Sequence, residues 1–116
     1  MLYRLYKNAG GKILIYGALK TTATNQVLFA PSSASKKIVI CHINTSLYTI
    51  PNGIIALNFG GLNANVFYYW NSKDVTSGNT VPHFIAMNAP IIGGVGQSVY
   101  YTVSNACTII VGYMEI

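Results

Sequence analysis

The sequence is almost without carboxylates. Asp74 and Glu115 are its only acidic side chains in 116 residues. Glycosidases and aspartic proteases set two carboxylates in one site. Asp74 stands beside Lys73 in a polar stretch, where a solvated ion pair is expected. Glu115 is next to the last residue, where a surface or subunit-contact role is expected. Neither is placed as half of an acid–base dyad, so the chain is expected not to be an enzyme.

Charge of either sign is scarce. Charged residues make up 8% of the chain, against roughly 25% in an average soluble domain. The net charge of +5 therefore reflects missing acids more than abundant bases. So few charges cover a free surface poorly, and the plentiful tyrosine suits interfaces. Four of the seven bases (Arg4, Lys7, Lys12 and Lys20) fall in the first twenty residues. Such a segment is either a solvated terminus or an arm for an acidic protein face or nucleic acid. The loose spacing and lack of an arginine cluster favour the solvated terminus, and nucleic acid is not an expected partner.

Long apolar runs are absent too. No segment reaches the ~18 consecutive apolar residues of a membrane helix. The opening residues Met1 to Lys7 lack the apolar core of a signal peptide, so folding in a reducing cytoplasm is expected. Cys41 and Cys107 each lie inside an apolar run and are expected as buried free thiols rather than a bridge. Zinc is not expected: Cys41 and His42 are adjacent on a strand and point to opposite faces, and no C-x-x-C spacing occurs. Gly93-Gly94-Val95-Gly96 is followed by strand-like residues, not by the helix that a nucleotide cradle needs. No cofactor is expected.

What remains is a rhythm of short β-rich runs. Strands are expected at Lys12 to Ala18, Gln26 to Ala30, Lys37 to Asn44, Gly53 to Phe59, Ala64 to Trp70, Val81 to Met87, Ser98 to Ser104 and Cys107 to Tyr113. Gly60-Gly61 reads as a turn between two of them, and Asn105-Ala106 as a tight hairpin. Thr45 to Asn52 and Asn71 to Asn79 read as long polar loops. This pattern predicts an all-β fold, an antiparallel sandwich of about eight strands, jelly-roll or immunoglobulin-like. Residues 1–11 are expected as a short N-terminal arm, in which a helical turn over Leu2 to Lys7 would be stopped by Gly10-Gly11, and 12–116 as a single domain.

Alternation along the strands carries functional weight. Cys107, Ile109, Val111 and Tyr113 share one face, and Thr108, Ile110, Gly112 and Met114 the other. Both sets are fairly apolar, as are both sets of the Lys37–Asn44 strand. A free two-layer sandwich shows polar residues outward, so another subunit is expected to cover an outer face. In Phe67-Tyr68-Tyr69-Trp70, Phe67 and Tyr69 face one way and Tyr68 and Trp70 the other. One pair is expected in the core; the other is a subunit contact or rim, a further part of the core, or a sugar- or base-stacking platform. The candidate partner contacts are Arg4, Lys7 and Lys12; the candidate subunit or ligand contacts are Tyr68, Trp70, Tyr100 and Tyr113.

Three phrases give the chain a resemblance. A basic pair enters a strand that ends in Asn (Lys36-Lys37-Ile38-Val39-Ile40-Cys41-His42-Ile43-Asn44). A Pro-led segment follows the aromatic strand (Ala89-Pro90-Ile91-Ile92), and the chain closes on Val111-Gly112-Tyr113-Met114-Glu115-Ile116. Over about residues 24–116 this resembles the small β-sandwich virion proteins of tailed bacteriophages, both capsid cement or decoration proteins and tail or fibre adaptors. The resemblance implies a usually trimeric sandwich in the virion, touching major capsid or other virion proteins, with no enzymatic residues to transfer. The expected function is capsid cementing. A tail or fibre module binding a glycan receptor through Tyr68 or Trp70 and loop 71–79 is the alternative.

Overall fold

The expected runs of β-branched and aromatic residues become eight strands among the described residues. The computed structural model describes residues 2–48, 53–61, 65–71 and 80–116. A short helix α1 (Leu2–Asn8) comes first. The strands follow as β1 (Leu14–Lys20), β2 (Ala23–Phe29), β3 (Ile38–Tyr48), β4 (Ile54–Phe59), β5 (Val66–Asn71), β6 (Thr80–Ile92), β7 (Val99–Val103) and β8 (Cys107–Glu115). They form two four-stranded sheets, A in the order β1-β8-β3-β6 and B in the order β2-β7-β4-β5. Every pairing is antiparallel.

This order is a jelly roll. First strand pairs with last, second with seventh, third with sixth and fourth with fifth. The chain is thus one long antiparallel ribbon wrapped into two layers, and Gly60-Gly61 is its tip. Both glycines adopt φ of +81°, which a side chain rarely tolerates. Buried Asn58 holds this turn by accepting the Gly61 amide at 2.8 Å through Oδ1.

The core lies between the sheets. Ile38, Ile40, Ile43 and Leu47 of β3 face Ile55 and Leu57 of β4, all at most 2% exposed, with Ile109 and Val111 of β8 beside them. Rings seal one end, where Phe29 stacks between Tyr16 (5.2 Å) and Tyr113 (4.5 Å). Polar groups enter the core at one place between the sheets. Thr45 of β3 is fully buried, and its hydroxyl is 2.9 Å from that of Tyr68 on β5. The Tyr68 hydroxyl is also 2.6 Å from His83 Nδ1 on β6. This chain of hydrogen bonds ties sheet B to sheet A, and Trp70 stacks on the same imidazole at 5.3 Å.

Three expectations need correction. Asn105-Ala106 does not close a hairpin: β7 and β8 belong to opposite sheets, so the link crosses the sandwich. The polar loop expected from Thr45 begins as strand instead. β3 continues to Tyr48 because Thr45 and Leu47 still alternate into the core. β6 does not end before Pro90 but runs to Ile92. It is an edge strand, where proline is tolerated, and its register shifts beside Cys41, with His42 opposite Ala86 but Ile40 opposite Ile91. The stretches 49–52 and 72–79, including Lys73 and Asp74, lie outside the described residues.

The inter-sheet hydrogen bonds give a stability prediction. Tyr68→Phe leaves the Thr45 hydroxyl without its partner and is expected to lower unfolding free energy by about 1–3 kcal/mol. Adding Thr45→Val removes the stranded hydroxyl and should recover part of that loss. Urea denaturation of both variants checks this.

Candidate functional site

The register of sheet A fixes which side chains point away from the core. Row by row, the outer face carries Leu19, Thr108 and Ser46; then Gly17, Ile110, Asn44 and Phe84; then Ile15, Gly112 and His42. Beyond these come Met114, Val39 and Ile92. Among the described residues no strand puts a charged side chain on this face; Arg4 and Lys7 stand on the helix α1 at one end of it. Its rims are large and apolar. Ile15 and Leu19 on β1 are 69% and 76% exposed, and Phe84 on β6 is 61% exposed. Between the rims the middle strands present Thr108, Ser46, Asn44 and His42, polar but uncharged, and exposed apolar side chains grouped in this way mark an interaction surface.

Two features shape the face. At its centre the His42 ring lies over Gly112, in the space that a Cβ there would take. His42 also tilts against Phe84 at 6.0 Å between ring centres. At one end the helix α1 lies on the sheet, where Leu5 packs with Val39 and Met114 and shields Cys41 and Ile116 in part. The outer face of sheet B is also uncharged among the described residues, but more polar, with Tyr69, Tyr100, Thr102, Asn58 and Asn71 among its outward groups.

The charges gather at the ends of the strands. β1 and β3 both run antiparallel to β8, so their starts lie at the same end. Arg4 and Lys7 of α1, Lys12, Lys36 and Lys37 all belong to that end, five of the six described bases. Lys20 stands at the other, 5.2 Å from the Tyr101 ring centre. The three candidate partner contacts Arg4, Lys7 and Lys12 are all exposed.

The four aromatic candidates are not brought together. Tyr68 and Trp70 do share a side, but it is the inner one. Tyr68 is 4% exposed in the core, and Trp70 packs against that core and His83. Tyr68 is thus corrected from contact residue to core residue, and Tyr69 is the exposed member of the run. Tyr113 also faces inward against Phe29, where burial first and Glu115 second push its phenol up. Tyr100 alone faces outward, on sheet B, with its ring over Gly61. Sequence reasoning did not single out Ile15, Leu19 and Phe84. The odd-numbered set Ile13, Ile15, Gly17 and Leu19 was visible, but not that it faces out.

Other chemistry finds little to use. Among the described residues no three His, Cys, Asp or Glu side chains are grouped to hold a metal ion. The two cysteines are free and lie on opposite sides of sheet A. The segment 93–98 joins β6 to β7, and Gly94 donates its amide to Gln97 Oε1 at 2.8 Å. Beside it a cleft of about 330 Å³ opens among Phe59, Val66, Phe67, Ile92 and Gln97.

No family model matches this chain, and no curated protein does. A solved structure is similar, described as "Bacillus endospore appendages form a novel family of disulfide-linked pili". The identity is 14%, the match covers 89% of this chain and 88% of that one, and the TM-score is 0.40. At that identity and score the likeness says nothing of what this chain binds.

Burial at Cys107 gives a pH prediction. Its thiol is pushed up to about 11, chiefly by burial, with Lys20 acting weakly the other way. The unfolded chain loses this proton near the ordinary thiol value and the folded one does so only near 11. The folded state then holds more protons, so stability falls as pH rises through that window. Cys107→Ala should lose that part of the slope. Urea midpoints from pH 8 to 11 for both proteins measure it.

Proposed function

We propose that this protein is a non-catalytic structural module that joins copies of itself through the outer face of sheet A. The observation that carries this is the uncharged face with its exposed rims Ile15, Leu19 and Phe84. Pairing two such faces desolvates no charge, and each large side chain covered contributes about 1.5–3 kcal/mol. A closed symmetric contact needs only the one self-complementary patch.

Within this reading, the best-supported setting is a virion, with the chain acting as a cement or decoration subunit. Its support is the resemblance of the β3 entry and of the closing Val111 to Ile116 phrase. The basic end (Arg4, Lys7, Lys12, Lys36 and Lys37) would meet an acidic face of a capsid partner, setting orientation and rate more than affinity. The glycan-binding alternative loses support, because Tyr68 and Trp70 are turned inward.

The test is sedimentation velocity over a concentration series. The wild-type chain is expected to associate reversibly. Leu19→Lys with Phe84→Lys should weaken association by about tenfold or more, since 1.4 kcal/mol is a factor of ten, with the circular dichroism unchanged. A wild-type chain that stays monomeric at every concentration overturns the reading. Pelleting with purified source particles then tests the virion setting.

A further inference from the structure

The helix α1 is a weak element in an otherwise sheet-built molecule. It has seven residues and no acidic side chain in its first turn. Isolated helices of that length do not hold in water, so α1 depends on what it touches. Leu5 is its buried anchor on the sheet, with Ala9 packed in part. Arg4, Tyr6, Lys7 and Asn8 are exposed. Directly after it, Gly10 and Gly11 both adopt φ of +72°, and a Cβ on Gly10 would meet nothing within 4 Å. The junction is therefore free of packing at Gly10.

The place where α1 rests matters as much. Val39 and Met114 are 0% and 1% exposed beneath it, yet both belong to the outer face of sheet A. Ile92 stands opposite Val39 in the register and is 43% exposed. The covered patch is thus continuous, strand by strand, with the uncovered apolar face. One short helix hides the end of a surface whose remainder is open.

We propose that α1 is a detachable cap. It opens about Gly10 and Gly11 while the sandwich stays folded, and adds Val39, Met114 and Ile116 to the face through which copies join. The occupant of the uncovered patch is the same face of a second copy, because the row Met114, Val39 and Ile92 continues without a break into the face through which copies join. The proposal rests on the self-association reading above and names how that association is regulated.

The cysteines report the opening directly. Cys41 is partly buried against the cluster that Leu5 of α1 forms with Val39 and Met114, whereas Cys107 is fully buried in the core. The experiment takes the full chain as wild type, Leu5→Asp and Leu5→Met. Maleimide labelling of each cysteine is followed by mass spectrometry, and association by sedimentation velocity. Cys41 is expected to label well before Cys107 in the wild type. Leu5→Asp should raise the Cys41 rate several-fold, leave Cys107 protected and move association to lower concentration. Leu5→Met should behave as wild type.

Equal labelling of the two cysteines in the wild type, or an unchanged Cys41 rate in Leu5→Asp, overturns the cap. So does association that Leu5→Asp leaves unaltered. If Leu5→Asp labels at Cys107 at once it has unfolded, and the milder Leu5→Ala takes its place: it must raise the Cys41 rate and leave Cys107 protected, and an unchanged Cys41 rate there overturns the cap. A chain that opens at Cys41 but never associates sinks the self-association reading while α1 still opens.

Discussion

Strand β8 constrains the rest of this molecule. It is hydrogen-bonded on both sides, to β1 and to β3, and Cys107, Ile109 and Val111 on its inner side are fully buried. A slip of one residue would turn Thr108, Ile110 and Gly112 into the core and those three outward. The register is therefore locked by burial. Once it is locked, the outer face follows: Gly112 must lie under His42, Ile110 between Gly17 and Asn44, and Met114 beside Val39. The wrapped ribbon also asks much of folding, because Leu14 pairs with Tyr113 across nearly the whole chain. Such contacts are made late and at a cost in loop closure.

Much of this was legible in the residues. The all-β class, the number of strands and their approximate places followed from β-branched runs cut by glycine and proline. The parity of β8 and β5 was legible as well: Tyr68 and Trp70 do share a side. What was not legible was which side faces in. That depends on Ile55 and Leu57 across the pair with β4 and on the Thr45 hydroxyl, which comes from another strand in the opposite sheet. The same long-range dependence hid the end of β3. Thr45 and Ser46 look like loop residues locally, and the Tyr68 hydroxyl supplies the partner that a buried threonine needs there. The Asn105-Ala106 turn misled for a related reason, since turn chemistry is local while the sheet that β8 joins is decided by β1.

The charge distribution adds a direction to an otherwise neutral body. Five described bases at one end, against Glu115 tied to the Ser32 amide, make that end repel its own kind. Lys20 at the far end is drawn over Tyr101. Two copies approaching through their sheet A faces are therefore opposed when their basic ends coincide and less so when they are reversed. Electrostatics of this kind chooses orientation and encounter rate, while buried apolar area supplies the binding.

The shape of the outer face points the same way. Its most exposed apolar side chains sit on the two edge strands, Ile15 and Leu19 on β1 and Phe84 on β6. The middle strands present half-buried Thr108, Ile110, Asn44 and Ser46. With neighbouring strands about 4.8 Å apart, the rims stand three spacings from each other, about the width of one side-chain layer plus its neighbours. A reversed second copy, turned about an axis that runs across the strands, sets its β1 rim over the first copy's β1 rim and its β6 rim over the other's β6 rim, apolar on apolar, while the hydroxyls and the amide of the middle meet each other. The arrangement needs no residue of opposite charge. In the proposed self-association, a chain with only two carboxylates needs no ion pair across the contact.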